Sequence, residues 1–229
     1  MTSSTGSAAP LDTVVLDLDG TLVDSVYVHV LAWRAAFRDV GLDVPAARLH
    51  RAIGLGGDRL VAHVTDDTVE HAVGDAVRER HPHHLVARLH EITATEGAGD
   101  LLQALHQRGL RLVVATSGDR EMSDRLLDLV PGRTLLEQTI SGSDAGQSKP
   151  AGDLAAEALR AVGATNAVML GDATWDARTA AEVGLPCIGL LSGGLTEAEL
   201  RDAGCAEVHD SPAHLVARLD ASLLGRGAR

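Results

Sequence analysis

Lysine is almost missing from this chain. Lys149 is the only one in 229 residues, and the rest of the positive charge comes from arginine. Aromatic residues make up 2% of the sequence, so any core must be packed mainly by leucine, valine and alanine. With 32 acidic against 20 basic side chains, the formal net charge of −12 argues against the broad basic face of a general nucleic-acid or membrane-surface protein. No apolar run is long enough to cross a bilayer. The two cysteines, Cys187 and Cys205, stand apart among apolar or small residues, without the spacing of a zinc site. A reduced, buried pair is expected. The opening MTSSTGSAAP has neither the basic start nor the apolar stretch of a secretory signal. Residues 1–9 therefore read as a disordered tail, and the protein as cytoplasmic.

What the chain does contain is alternation. From about residue 98 onward, the short apolar runs LRLVVAT, EQTIS, NAVMLGD, PCIGLL and CAEVH are separated by stretches such as GDLLQALHQRG and AGDLAAEALRAVG. The latter carry apolar residues at i, i+3 and i+4 and end in glycine, as amphipathic helices do. With TVVLDLD in front, the pattern predicts an α/β fold: a Rossmann-like, mostly parallel sheet with helices on both faces. Residues of about 24 to 96 break the rhythm and read as helices only. The expected organisation is an α/β core of residues 10–23 and 97–229, with a small all-helical domain of residues 24–96 inserted after the first strand.

The first strand ends in Asp17-Leu18-Asp19-Gly20-Thr21, and aspartate is a poor strand former. In open parallel sheets ligands bind beyond the carboxyl ends of the strands. The same edge receives Thr116-Ser117-Gly118, Lys149 and Gly171-Asp172, with Asp176 one helical turn on. Four carboxylates, a hydroxyl and the sole lysine are thus expected together. Such crowding needs a cation among the carboxylates. All-oxygen ligands suit Mg²⁺, and lysine is a good point charge for phosphate. One aspartate can then serve as a nucleophile and its neighbour as proton donor and acceptor.

DLDGT, VVATS, the single SKP and GDATWD, in this order, resemble the four motifs of the haloacid dehalogenase-like superfamily, from about residue 12 to 215. The resemblance implies that the helical insertion is a mobile cap. It implies Asp17 as nucleophile, Asp19 as general acid/base, and Thr116 and Lys149 as holders of phosphate and nucleophile, with Ser117 and Gly118 beside them. It further implies a Mg²⁺ held by Asp17, the main-chain carbonyl of Asp19, Asp172 and Asp176. Gly152 and Ala173 depart from the residues common in the family, without removing a catalytic atom.

Within the superfamily, residues 22–96 contain no lysine. This counts against phosphonatase chemistry, which needs a Schiff-base lysine there, and against β-phosphoglucomutase-like members. Asp19 counts against halide displacement. The expected activity is a phosphoglycolate phosphatase-like hydrolysis of a small-molecule phosphate ester, by a monomer or weak homodimer that engages neither nucleic acid nor membrane. A phosphosugar mutase and a non-enzymatic binding protein on the same fold are the two alternatives.

Outside the motifs, His29 reads equally as a residue facing the site or as a packing histidine, Trp33 as core, and Trp175 as a hydrophobic wedge under its loop. The run His81-Pro82-His83-His84 reads as a solvated helix face. IGLGGDRL, Ile53 to Leu60, is glycine-rich without lysine and so is no nucleotide-binding loop. It marks Arg51, Asp58 and Arg59 as candidates for substrate specificity.

Overall fold

A computed structural model of the protein describes residues 10–144, 149 and 152–225. Six strands form one parallel sheet: β1 (Thr13–Leu16), β4 (Arg111–Ala115), β5 (Gln138–Ile140), β6 (Ala167–Gly171), β7 (Cys187–Leu190) and β8 (Glu207–His209), in the order β5-β4-β1-β6-β7-β8. Each apolar run expected to be a strand is one. The chain departs from β1 to β4 and β5 on one side and to β6, β7 and β8 on the other. β1 is therefore the switch point where such sheets bind ligands.

Side chains alternate between the two faces with the period of two that a strand imposes. Val14, Leu16, Leu112, Val114, Val168 and Leu170 enter one core beneath α5 (Ala98–Gln107), α6 (Arg120–Leu127) and α10 (Pro212–Ala217). Val15, Val113, Ala115 and Met169 enter the other, covered by α7 (Asp153–Val162), α8 (Thr174–Glu182) and α9 (Glu197–Ala203). Burial on both faces explains why these strands read as continuous apolar runs. Cys187 and Cys205 lie buried in the second core as free thiols, Cys205 Sγ donating to Cys187 Sγ at 3.7 Å.

Between β2 (Val23–Asp24) and β3 (Thr93–Ala94) the chain makes α1 (Val26–Asp39), α2 (Ala46–His50), α3 (Gly57–Val64) and α4 (Asp67–Val86). β2 and β3 pair antiparallel, Val23 with Ala94 and Asp24 with Thr93, so the segment leaves and returns at one place. Its own core contains Val30, Trp33, Phe37, Leu49, Leu60, Val61 and Val77. Trp175 from α8 also belongs to this cluster. Pro82 lies inside α4, where a proline removes a helix hydrogen bond. No helix among the described residues is long and apolar enough to cross a membrane.

Candidate active site

The site is assembled at the carboxyl ends of β1, β4 and β6. Asp17 follows β1 directly, and its N–H donates to Leu170 O at 2.9 Å, extending the ladder by one residue. The chain then turns sharply. Leu18 O accepts from the N–H groups of Leu22 and Val23 at 2.9 and 3.1 Å, and Gly20 N–H donates to Val23 O at 2.7 Å. Gly20 has φ +85°, and a Cβ there would stand 2.3 Å from Asp172 Oδ2. Only glycine serves both the left-handed backbone and the close approach. Thr21 Oγ1 donates to Asp172 Oδ1 at 2.9 Å, joining the first motif to the loop after β6.

Two positions apart, Asp17 and Asp19 meet different surroundings. Asp17 is buried and bonded to the Lys149 ammonium. Burial pushes its pKa up, Lys149 opposes that, and nearby Asp176 and Asp19 add to the rise, leaving it at about 7. Asp19 turns away from that cluster. Its Oδ1 accepts from Ser25 Oγ at 2.5 Å and His29 Nε2 at 3.1 Å. Burial resists its ionisation, but the charge and hydrogen bond of His29 and the hydroxyl of Ser25 prevail, holding it below the ordinary carboxylate value. One carboxylate environment favours the proton and the other the charge.

Lys149 is fully buried and also donates to Asp176 Oδ1 at 2.7 Å. Burial works against its charge, but the two carboxylates outweigh it and raise its pKa. Ser148 and Pro150, its neighbours in the SKP motif, lie outside the described residues, as does the tail of residues 1–9. Asp176, in the first turn of α8, accepts from Ala173 N–H at 3.0 Å. It thereby caps the helix from within, where Ala173 offers no side-chain acceptor of its own. Asp172 is buried, and burial with the charges of Asp17 and Asp176 raises its pKa well above normal.

Oxygens of Asp17, Asp172 and Asp176 lie within 4.8 Å of one another. The Asp19 side chain is not in this group; its expected share is the main-chain carbonyl. Beyond β4, Thr116 is buried and its Oγ1 accepts from Gly118 N–H at 3.1 Å. Ser117 Oγ donates to Gly54 O of the helical segment at 3.1 Å, and accepts from Lys149 N–H at 3.3 Å.

A cavity of about 480 Å³ opens from Asp17 and Asp19 between the sheet edge and the helical segment. His29 lines it, with its Nε2 on Asp19. Asp58 lines it too, but Arg51 and Arg59 do not. Arg51 points outward, 63% exposed and paired with Glu199 at 3.1 Å. Arg59 lies against Asp58, 3.9 Å apart. The arginine that does face the cavity is Arg78 of α4. Arg51 follows the last residue of α2 and Arg59 lies in the first turn of α3, both with side chains directed away from the cavity lining.

Residues 11–184 match the family model for haloacid dehalogenase-like hydrolase. The chain belongs to the haloacid dehalogenase-like hydrolases. It is 31% identical to the phosphoglycolate phosphatase of Caulobacter vibrioides over 84% of each chain. It is 26% identical to the validoxylamine A 7'-phosphate phosphatase of Streptomyces hygroscopicus, over 78% of this chain and 84% of that one. Among solved structures, a hydrolase from Pseudomonas syringae superposes with a TM-score of 0.85 at 31% identity, covering 92% of this chain and 98% of the other.

This family member carries a feature its motifs do not announce. His81, read from sequence as part of a solvated face, lines the cavity. Its Nε2 is 3.2 Å from His29 Nδ1, and its ring stacks on Trp33 with centroids 4.0 Å apart. Burial and the neighbouring His29 pull its pKa well down. The one signal in the sequence was its separation from Arg78 and Leu85 by three and four residues, the spacing of a single helix face. Trp175 is buried as expected, but it reaches across to the helical segment, its Nε1–H donating to Arg51 O at 3.0 Å.

Proposed function

We propose that the protein is a Mg²⁺-dependent phosphatase that hydrolyses a small-molecule phosphate monoester through an aspartyl-phosphate on Asp17. The observation that carries this reading is the contrast between the paired aspartates. Asp17 is clamped by Lys149, and Asp19, two residues away, is held by Ser25 and His29. The buried lysine fixes Asp17 among the floor carboxylates, where a nucleophile is positioned, while Asp19 stands outside that group with hydrogen-bond partners suited to exchanging a proton. The names of the relatives support the reaction class.

The residues fit a divalent cation. Three buried carboxylates stand within 4.8 Å. The glycine backbone closes on Asp172 from two sides, because a Cβ on Gly20 or Gly193 would lie 2.3 or 1.9 Å from Asp172 Oδ2. Asp17, Asp172 and Asp176 would hold Mg²⁺, with the Asp19 main-chain carbonyl completing the protein's share. When bound, the ion neutralises charge on the phosphoryl oxygens.

In the first step an Asp17 oxygen attacks phosphorus and the ester P–O bond breaks, while Asp19 gives its proton to the leaving alkoxide. In the second, water attacks the same phosphorus, Asp19 takes the water's proton, and the bond to Asp17 breaks to release inorganic phosphate. Lys149 and Thr116 hold the nucleophile and the phosphoryl oxygens, the Ser117 N–H extends the cradle, and Gly118 N–H orients the Thr116 hydroxyl. Acceleration here is mostly positioning and charge stabilisation.

Residues 24–96 act as a cap over the core of residues 10–23 and 97–229. The two-residue ribbon of β2 and β3 supports this as a hinge, and closure would exclude water during the first step. The testing experiment is phosphate release from a panel of phosphate monoesters by wild type and Asp17→Asn, with Mg²⁺ and with EDTA. Release is expected only from wild type with Mg²⁺. Equal release by Asp17→Asn overturns the assignment of the nucleophile, and conversion of a sugar phosphate to its isomer without phosphate release would make the enzyme a mutase.

A further inference from the structure

The cavity has two unlike ends. At its floor are Asp17, Asp19 and Thr116; above them the walls are apolar, formed by Trp33, Ile53, Leu60, Leu85, Met122 and Leu126. Its volume of about 480 Å³ falls in the range that holds drug-sized ligands, roughly 300–1,000 Å³. A two-carbon ester would leave most of it to water and its leucines unfilled. Trp33 and His81 stack face to face with their planes 15° apart and place an aromatic stack in the wall supplied by α1 and α4.

The charges of the walls point the same way. Among the described lining residues there is one guanidinium, Arg78, and it is already engaged. It meets Glu70 and Asp75 at 2.7 Å each and donates to Gly57 O at 3.3 Å. The only lysine is fully buried beneath the floor, bonded to Asp17 and Asp176. The remaining charged groups of the upper walls, Asp58 and Asp119, are acidic. A second anionic group on a substrate would therefore be taken from water without a cation to meet it, which is costly. An apolar or aromatic group would instead gain burial on every side.

Building on the phosphatase reading, we propose that the substrate is a phosphate monoester whose organic part is uncharged, largely apolar or aromatic, and larger than a two-carbon acid. The phosphate sits at Asp17, and the organic part lies against the Trp33–His81 stack and the leucines of both walls. The enzyme thus discriminates against carboxylated esters, although several of its relatives are named phosphoglycolate phosphatases.

The test is kcat/KM with Mg²⁺ for three esters: phosphoglycolate, ethyl phosphate and benzyl phosphate. Benzyl phosphate is expected to exceed ethyl phosphate by about tenfold or more, the discrimination an apolar pocket supplies, with phosphoglycolate no better than ethyl phosphate. A marked preference for phosphoglycolate over ethyl phosphate, or no gain from the benzyl group, overturns the proposal while leaving the phosphatase reading intact. Absence of Mg²⁺-dependent turnover with all three overturns both. Asp58→Lys, on a side chain 57% exposed, reverses one wall charge without touching the floor. It is expected to shift the phosphoglycolate-to-benzyl phosphate ratio toward the carboxylated ester several-fold, and an unmoved ratio overturns the role given to wall charge.

Discussion

The ammonium of Lys149 is bonded to the carboxylate of Asp17 across 132 residues of chain. The same nitrogen reaches Asp176 at 2.7 Å, so one buried cation serves two buried carboxylates. Removing one member of such a cluster strands the others, at a cost of about 3–5 kcal/mol. Lys149→Met is expected to lose that much stability in urea unfolding and to lose turnover. The double variant Lys149→Met/Asp176→Asn should be destabilised by less than the sum of its parts, since the second change removes a charge the first left unpaired. Additive effects in a double-mutant cycle would show that the bridge contributes nothing as a unit.

Asp19 donates to the leaving group in the proposed reaction, so its importance depends on how badly that group needs a proton. Asp19→Asn is expected to lower kcat for alkyl phosphates by about 10²–10⁴. For p-nitrophenyl phosphate, whose leaving group departs as a stable anion, the loss should be much smaller. Equal losses for both classes of ester would assign Asp19 to positioning instead of proton transfer.

Most of the floor of the site was legible because it sits at strand ends. Runs buried on both faces, such as Val14–Leu16 and Val168–Leu170, announce a parallel sheet, and residues following them fall on one edge by geometry alone. The cavity walls were not legible for the opposite reason. His81 and His29 are 52 residues apart and meet only because α1 and α4 pack together. Arg51 and Arg59 drew notice because they flank a glycine-rich loop, and nothing in that stretch points to Arg78, on α4, as the arginine that lines the cavity. Trp175 looked like a local wedge because nothing near it in sequence names its acceptor, Arg51 O, 124 residues away.

Trp175 gives a direct handle on how the helical segment is held. Its ring is 7% exposed, packed in that segment's core, with Arg178 4.7 Å above it and His63 edge-on. Trp175→Ala should cost about 3–5 kcal/mol as a large core truncation, and should raise KM by loosening the segment over the cavity. Trp175→Phe keeps a smaller aromatic ring and loses the indole N–H hydrogen bond, worth about 1 kcal/mol, along with part of the packing. It also leaves Trp33 as the only tryptophan, whose fluorescence then reports on cavity occupancy. A KM unchanged in both variants would separate Trp175 from substrate binding.

Asp172 sits among like charges that a cation at the proposed metal site would relieve. It is buried with two like charges near it, and Thr21 supplies its one side-chain hydrogen bond. Asp172→Asn is nearly isosteric and removes the repulsion. The metal-free variant is expected to melt at or above the wild-type temperature, yet to gain little on addition of Mg²⁺. Wild type should gain in proportion to the logarithm of Mg²⁺ concentration over its dissociation constant. Thermal unfolding with and without Mg²⁺ checks this, and a full Mg²⁺ response in the variant would remove Asp172 from the metal site.

Away from the site, Asp12 ties the start of β1 to the loop before β6. Its carboxylate accepts from Thr13 Oγ1 at 2.7 Å, Thr165 N–H at 2.9 Å and the Thr165 hydroxyl. Partial burial resists its charge, but these donors win and lower its pKa from the ordinary 3.8. A carboxylate with a depressed folded-state pKa stabilises fully above its unfolded value, and that contribution fades as the pH falls toward the folded one. Asp12→Ala is therefore expected to cost about 1–2 kcal/mol at neutral pH. The gap to wild type should narrow only below pH of about 3.8. Urea unfolding of both proteins at pH 7, 5 and 3 measures it, and a gap that stays constant through this range would mean that the Asp12 charge is not what holds the loop.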